Sequence, residues 1–167
     1  MSTASRASTA GTAVTAVTPR KFFLWVSRAE AVTWALLLLG LFLKYVTETT
    51  DVAVRVFGMM HGVVFITYCL ANGLLWVDQK WKFGQFVLGI LCAIPPFVTL
   101  WFDHHAERKG LVSDAWRLRE QEPSSPLEKA AAFVIRKPGR GVVVGVVAIA
   151  VLTGVALLIG PPGGGEH

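Results

Sequence analysis

The sequence predicts an all-α fold, a polytopic bundle of transmembrane helices, and three observations carry that prediction. Of 167 residues, 53% are hydrophobic and only 16% charged, with six Trp and ten Phe. A soluble domain of this length would have to hide more apolar surface than its size allows. The apolar residues gather into four runs of about 20, the length that crosses ~30 Å of hydrocarbon at 1.5 Å per residue. Finally, Lys and Arg sit in the flanks and loops between those runs, where they meet anionic headgroups. No basic stripe carries an aromatic platform, so the net charge of +5 does not point to nucleic acid.

The elements follow in order. Residues 1–21 open with MSTASRASTAGTAVTAVTPR, rich in Ser, Thr and Ala without apolar periodicity, and read as a disordered tail. It lacks the amphipathic Arg-bearing helix of a transit peptide, and no small-residue cleavage site follows a short apolar core, so the first run reads as a retained anchor. That first span is placed at 29–47, with FFLWV before it lying at the interface. The second span, 54–77, and the third, 83–102, are joined by the short DQKWK turn and form an antiparallel hairpin. Together they make a three-span domain over 22–110. A basic surface segment, 111–140, contains SPLEKAAAFVIRK, expected to form a short amphipathic helix opened by Ser125 and Pro126 and ended before Pro138. The fourth span, 141–160, is Gly/Ala/Val-rich with Thr153 as its one polar residue, and 161–167 are a tail.

Four spans place the N-terminal tail, the DQKWK turn and the C-terminus on one face, side A. The 48–53 turn and the loop 103–140, with its eight Lys/Arg and six Asp/Glu, fall on side B. The positive-inside count then favours side B as cytoplasmic and both termini outside.

Polar residues inside the spans are the candidates for function. At 100° per residue His61, Tyr68 and Asn72 lie within about 20° of a common line on the second helix, so they form one polar stripe that must face protein and not lipid. Gly58 and Gly62 in GMMHG have the GxxxG spacing that lets a neighbouring helix approach closely. Lys44, Glu48, Asp51 and Arg55 at the first turn, with Asp103, His104 and His105 at the end of the third span, form an edge cluster on side B. The stripe reads either as interhelical hydrogen-bond glue or as a small polar cavity for a ligand, headgroup or proton. Glu30 is a lone acid near the start of its span, and no paired carboxylates for ion coupling accompany it.

Other chemistries fit less well. Asp103, His104 and His105 with His61 supply ligand types that suit a divalent metal. Adjacent histidines diverge by about 100° on a helix, however, and pairing His61 with His104 around a haem would leave them about 10 Å apart in depth. No metal and no cofactor is therefore expected. No phosphate loop, Ser/His/Asp set or Cys/His set appears at a workable spacing, which argues against an enzyme. Cys69 and Cys92 fall in apolar runs and read as small hydrophobes. Pro95 and Pro96 remove two amide donors and should kink the third span. Trp76, Trp81 and Trp101 fall at span ends, where indoles prefer the interface.

The segments LKYV (43–46), RVFGMMHGVVFITY and FGQFVLGILCAIPPFVTLWFDHH resemble a family of small bacterial integral membrane proteins, mostly actinobacterial and bacillar, marked by a His-Gly dipeptide. It is sometimes called YdzA-like and is known only as a domain of unknown function. The resemblance covers about residues 28–110 and rests on Lys44, Tyr45, Gly58, His61, Gly62 and the Pro pair. It implies three family helices and a bacterial plasma membrane, and it implies no activity. The expected role is a non-enzymatic membrane component that contacts lipids and packs with itself or a larger membrane-protein partner. The alternative is a small transporter or ligand- or proton-binding bundle built on the His61-Tyr68-Asn72 stripe.

Overall fold

The computed structural model describes residues 17–159, and these are entirely helical outside turns and loops. Its helices are α1 (Pro19–Tyr45), α2 (Val52–Asp78), α3 (Phe83–Leu91), α4 (Val98–Arg108), α5 (Arg117–Glu120), α6 (Pro126–Arg136) and α7 (Pro138–Ile159). Three of them, α1, α2 and α7, are long and apolar enough to cross a membrane. The tail residues 1–16 and the C-terminal tail lie outside the described residues.

Helix α1 begins at Pro19, whose fixed φ suits the first helical position, and the Thr18 hydroxyl caps it by accepting from Lys21 N. It therefore starts ten residues before the expected span, and FFLWV is helix and not an interfacial flank. Phe23 is fully buried, packed on Tyr68, Trp81 and Phe102 with ring centroids 5.9–6.0 Å apart. Helix α2 returns antiparallel to α1. They approach closely at Gly40, where a Cβ would stand 2.9 Å from Val54 Cα.

The segment 83–102 does not form the expected continuous third span. Helix α3 ends at Leu91, the chain turns through Pro95 and Pro96, and Phe97 takes a left-handed conformation (φ 65°) before α4 starts. The missing amide donors end the first helix, as expected, but a reversal follows where a kink was predicted. Phe102 packs on Trp81, ring centroids 6.0 Å apart, and the Trp81 indole donates to the Leu111 carbonyl at 2.6 Å. A straight helix would carry residue 102 roughly 30 Å away from residue 81. The chain instead enters beside the end of α2, reaches the level of Trp34, whose indole donates to the Ala93 carbonyl at 3.4 Å, and comes back. At nine residues, α3 is about 14 Å long, roughly half a bilayer core. The tip, Ile94 to Phe97, is exposed and apolar.

This reversal moves everything after it. The loop placed on side B belongs to side A: the Trp116 indole donates to the Val17 carbonyl at 2.8 Å, and the Arg117 guanidinium donates to the carbonyls of Val77 (3.1 Å) and Asp78 (2.6 Å) at the end of α2. Asp78, fully buried, accepts from the backbone amides of Arg117 and Leu118 and so caps α5 from a distance. Helix α6 opens on Ser125, which accepts from Glu128 N, with Pro126 first in the helix, and buries Ala131, Ala132 and Ile135 against this platform. Helix α7 leaves the platform and packs on α2, with most of its apolar residues exposed. Trp81, expected at the interface, is buried in the core, whereas Trp101 is exposed and stacks on His105.

Candidate functional site

The α1–α2 pair and the α3–α4 hairpin meet in one polar layer. The three residues of the predicted stripe all face protein and are all engaged. The Tyr68 hydroxyl donates to the Gly89 carbonyl at 3.1 Å, and Asn72 Nδ2 donates to the Phe86 carbonyl at 3.3 Å, so both hold α3 against α2. His61 Nδ1 lies 3.1 Å from the Thr33 hydroxyl on α1, and its ring lies 4.5 Å from the Trp34 ring. The Thr33 hydroxyl also lies 2.9 Å from the Glu30 carbonyl, so with its single proton given there it accepts from an Nδ1-protonated His61. Gly89 makes the approach possible: a Cβ there would lie 2.5 Å from the Asn72 amide and 2.9 Å from the Phe102 ring.

Other expected groupings are not brought together. Lys44 lies 3.8 Å from Asp51 at the α1–α2 turn, near Glu48, which takes a positive φ of 51°, and Arg55 belongs to the same end. Asp103 and His104 are at the opposite end, because α4 runs back, so the edge cluster splits in two. The same reversal separates His104 and His105 from His61, and no group of three metal-ligand side chains occurs among the described residues. Gly58 is in ordinary contact with Leu37, its Cβ position 3.7 Å from Cδ1, and a Cβ at Gly62 would meet nothing within 4 Å beyond its own helix backbone. The close helix contacts fall instead at Gly40 and Gly89. Cys69 and Cys92 are free thiols.

The residue whose setting the sequence disguised is Glu30. It is fully buried; Oε2 accepts from the Thr99 hydroxyl on α4 at 2.5 Å, the Trp34 indole N–H stands near the carboxyl, and Oε1 has no partner of good hydrogen-bond geometry. Ser27, one turn earlier on the same buried face, is also fully buried with its hydroxyl unpartnered. Toward side A lies a cavity of about 170 Å³ lined by Arg20, Leu24, Arg28, Asp103, Glu107 and Val112. Arg20 and Glu107 form an ion pair at its edge. Burial pushes the Asp103 carboxyl above its ordinary range, against the opposing pull of Arg28 and Arg20. On the outer platform, Glu128 accepts from the Ser124 amide and hydroxyl and pairs with Arg117 at 2.6 Å, which holds its carboxyl down at about 2.

Two apolar crossing helices, a third added by α7 and a polar layer closed by a helical hairpin define a multi-pass α-helical membrane protein. The chain belongs to the family of the domain of unknown function DUF3817, whose pattern matches residues 20–108. It is similar to a Streptomyces coelicolor protein named "Putative membrane protein SCO5905", 44% identical over 89 residues. Those residues are 53% of this chain and 10% of that relative, so the chain spans only a small part of the relative's length. No solved structure matches the chain. The matched segment stops at the end of α4, leaving the α5–α6 platform and α7 outside it.

Proposed function

We propose that the chain is a non-enzymatic membrane component that packs with itself or with a larger membrane-protein partner, using the Gly58/Gly62 face of α2. The observation that carries this reading is Gly62: a side chain built there would meet nothing within 4 Å beyond its own helix backbone, and exposed Met59 stands one turn away on the same side. A small residue in an apolar helix face gives another helix room to approach. The stripe supports the same reading, since His61, Tyr68 and Asn72 each spend a hydrogen bond on holding the fold. That the matched unit forms a tenth of a longer relative fits a module that works beside other membrane segments. The His-Gly resemblance and the Streptomyces relative support a bacterial plasma membrane as its setting.

The test is recovery of the full chain in mild detergent, followed by sizing and identification of copurifying proteins, in wild type and Gly62→Leu. The reading expects a complex larger than one chain that Gly62→Leu reduces while the monomer's thermal stability is kept. A wild-type monomer with no copurifying protein would overturn it. A solute flux in proteoliposomes, abolished by His61→Leu, would favour the transporter alternative.

A further inference from the structure

We propose that Glu30 is a proton-binding carboxyl at the inner end of a half-channel that opens on side A through the cleft between α1 and α4. Buried polar atoms in folded proteins nearly always have partners, and an ionisable group at membrane depth is costly to keep without use. Here two unpartnered atoms share one buried face: Glu30 Oε1 and Ser27 Oγ, on residues with no solvent exposure. A proton on Oε1 turns that oxygen into a donor.

The path to the surface is built into α4. Thr99, Asp103 and Glu107 recur at i, i+4 and i+8 and so lie along one edge of that helix. Thr99 touches the Glu30 carboxyl, while Asp103 and Glu107 line the 170 Å³ cavity with Arg20 and Arg28. Polar groups thus run from the side A surface to Glu30. Beyond Glu30 toward side B, α1 continues as Leu36 to Leu39 and closes on α2 at Gly40 against the Val54 backbone. The titratable groups beside Glu30 are Tyr68 and Cys69 on α2; Cys92 after α3 and Asp103 on α4 lie around Tyr68, and His61 is joined to the same turn of α1 through Thr33. Arg28 and Arg20 on α1 are the nearby cations, both on the cavity.

The probe is dicyclohexylcarbodiimide, an apolar reagent that modifies protonated carboxyls. The carboxyl proton moves to one carbodiimide nitrogen as the carboxyl oxygen adds to the central carbon, and the adduct rearranges to a stable N-acylurea with no leaving group. The full chain carrying Ser113→Cys is reconstituted into sealed phospholipid vesicles whose inner and outer pH are set separately. Molecules with side A outward are captured through Cys at 113 with an impermeant maleimide, and modified peptides are located by mass spectrometry. We expect an adduct on Glu30 that Glu30→Gln lacks. Its yield should fall about tenfold per pH unit once side A is taken above the titration of the site, and it should not respond to side B. Absence of an adduct on Glu30 in the wild-type sequence would overturn the proposal. So would an adduct that follows side B pH or neither pH, and suppression by Na⁺ at constant pH would assign the site to a metal cation instead.

Discussion

Gly89→Val is the sharpest perturbation of the hairpin, because the missing side chain at this position is what seats α3 on α2. A Cβ alone would stand 2.5 Å from the Asn72 amide and 2.9 Å from the Phe102 ring, well inside contact distance for both. Either the Asn72 amide and the Phe102 ring give way or α3 moves off, and with them go the interhelical bonds of Asn72 to the Phe86 carbonyl and of Tyr68 to the Gly89 carbonyl. Bonds of this kind average about 0.6 kcal/mol in membrane helices, and overpacking a closed site costs about 1–3 kcal/mol. The expected loss is roughly 2–4 kcal/mol. It is read as the shift in unfolding by sodium dodecyl sulfate added to mild detergent micelles, followed by tryptophan fluorescence. Gly73→Val on α2, where a Cβ meets nothing within 4 Å, is the control for helix propensity. Removing the obstacle should also help: Gly89→Ala should cost less in an Asn72→Ala background than alone. Equal losses for Gly89→Val and Gly73→Val would refute the packing argument.

Three further outcomes are expected. His61→Leu and Thr33→Val remove the same contact, so each should cost about 0.6 and at most about 1.7 kcal/mol in the same unfolding assay, and the double variant should cost little more than either alone. Glu128 has its folded carboxyl held at about 2, below an unperturbed 4.5; a depressed acid stabilises the fold above its unfolded value, so the α5–α6 platform should loosen as pH falls from about 4.5 toward 2. Proteolysis at the platform should register that loosening, and Glu128→Gln should flatten the dependence. For orientation, a cysteine replacing Ser113 should be protected from an impermeant reagent in intact cells and one replacing Glu48 should react, in a background lacking Cys69 and Cys92. The reverse pattern would invert the protein.

That orientation follows from the reversal at Pro95 and Pro96. With α4 returning, Lys44 and Arg55 remain at side B, and every other Lys and Arg between residues 17 and 159 falls on side A. A marginal charge bias read from four spans becomes a pronounced one, and side A is the face the positive-inside rule assigns to the cytoplasm.

Much of the architecture was legible because the signals were local. The apolar runs of α1, α2 and α7, and the Ser125-Pro126 start of α6, are each written in a few adjacent residues. The hairpin was not, since hydropathy measures composition and a segment that crosses lipid has the same composition as one that turns back within it. The Pro pair told of a broken helix but not of the direction taken afterwards, which depends on the left-handed Phe97 and on contacts from Trp81 to residues 20 to 30 positions later. His61, Tyr68 and Asn72 were found because helical periodicity aligns them. Hydropathy starts the first apolar run at residue 29, which leaves Glu30 at its edge; the helix begins at Pro19, which puts Glu30 well inside it and opposite Thr99, a partner 69 positions away.

The hairpin also settles a matter of parity. Two crossings and one excursion that does not cross bring the matched unit, residues 20–108, back to the face where it began. Such a unit behaves as a neutral insert: placed before, after or between other membrane segments, it leaves the sidedness of everything downstream unchanged. A unit of three true crossings would invert whatever followed it. In this chain the inversion is left to α7, outside the matched unit, so deleting 138–159 should relocate a C-terminal reporter across the membrane while leaving the rest of the protein facing as before.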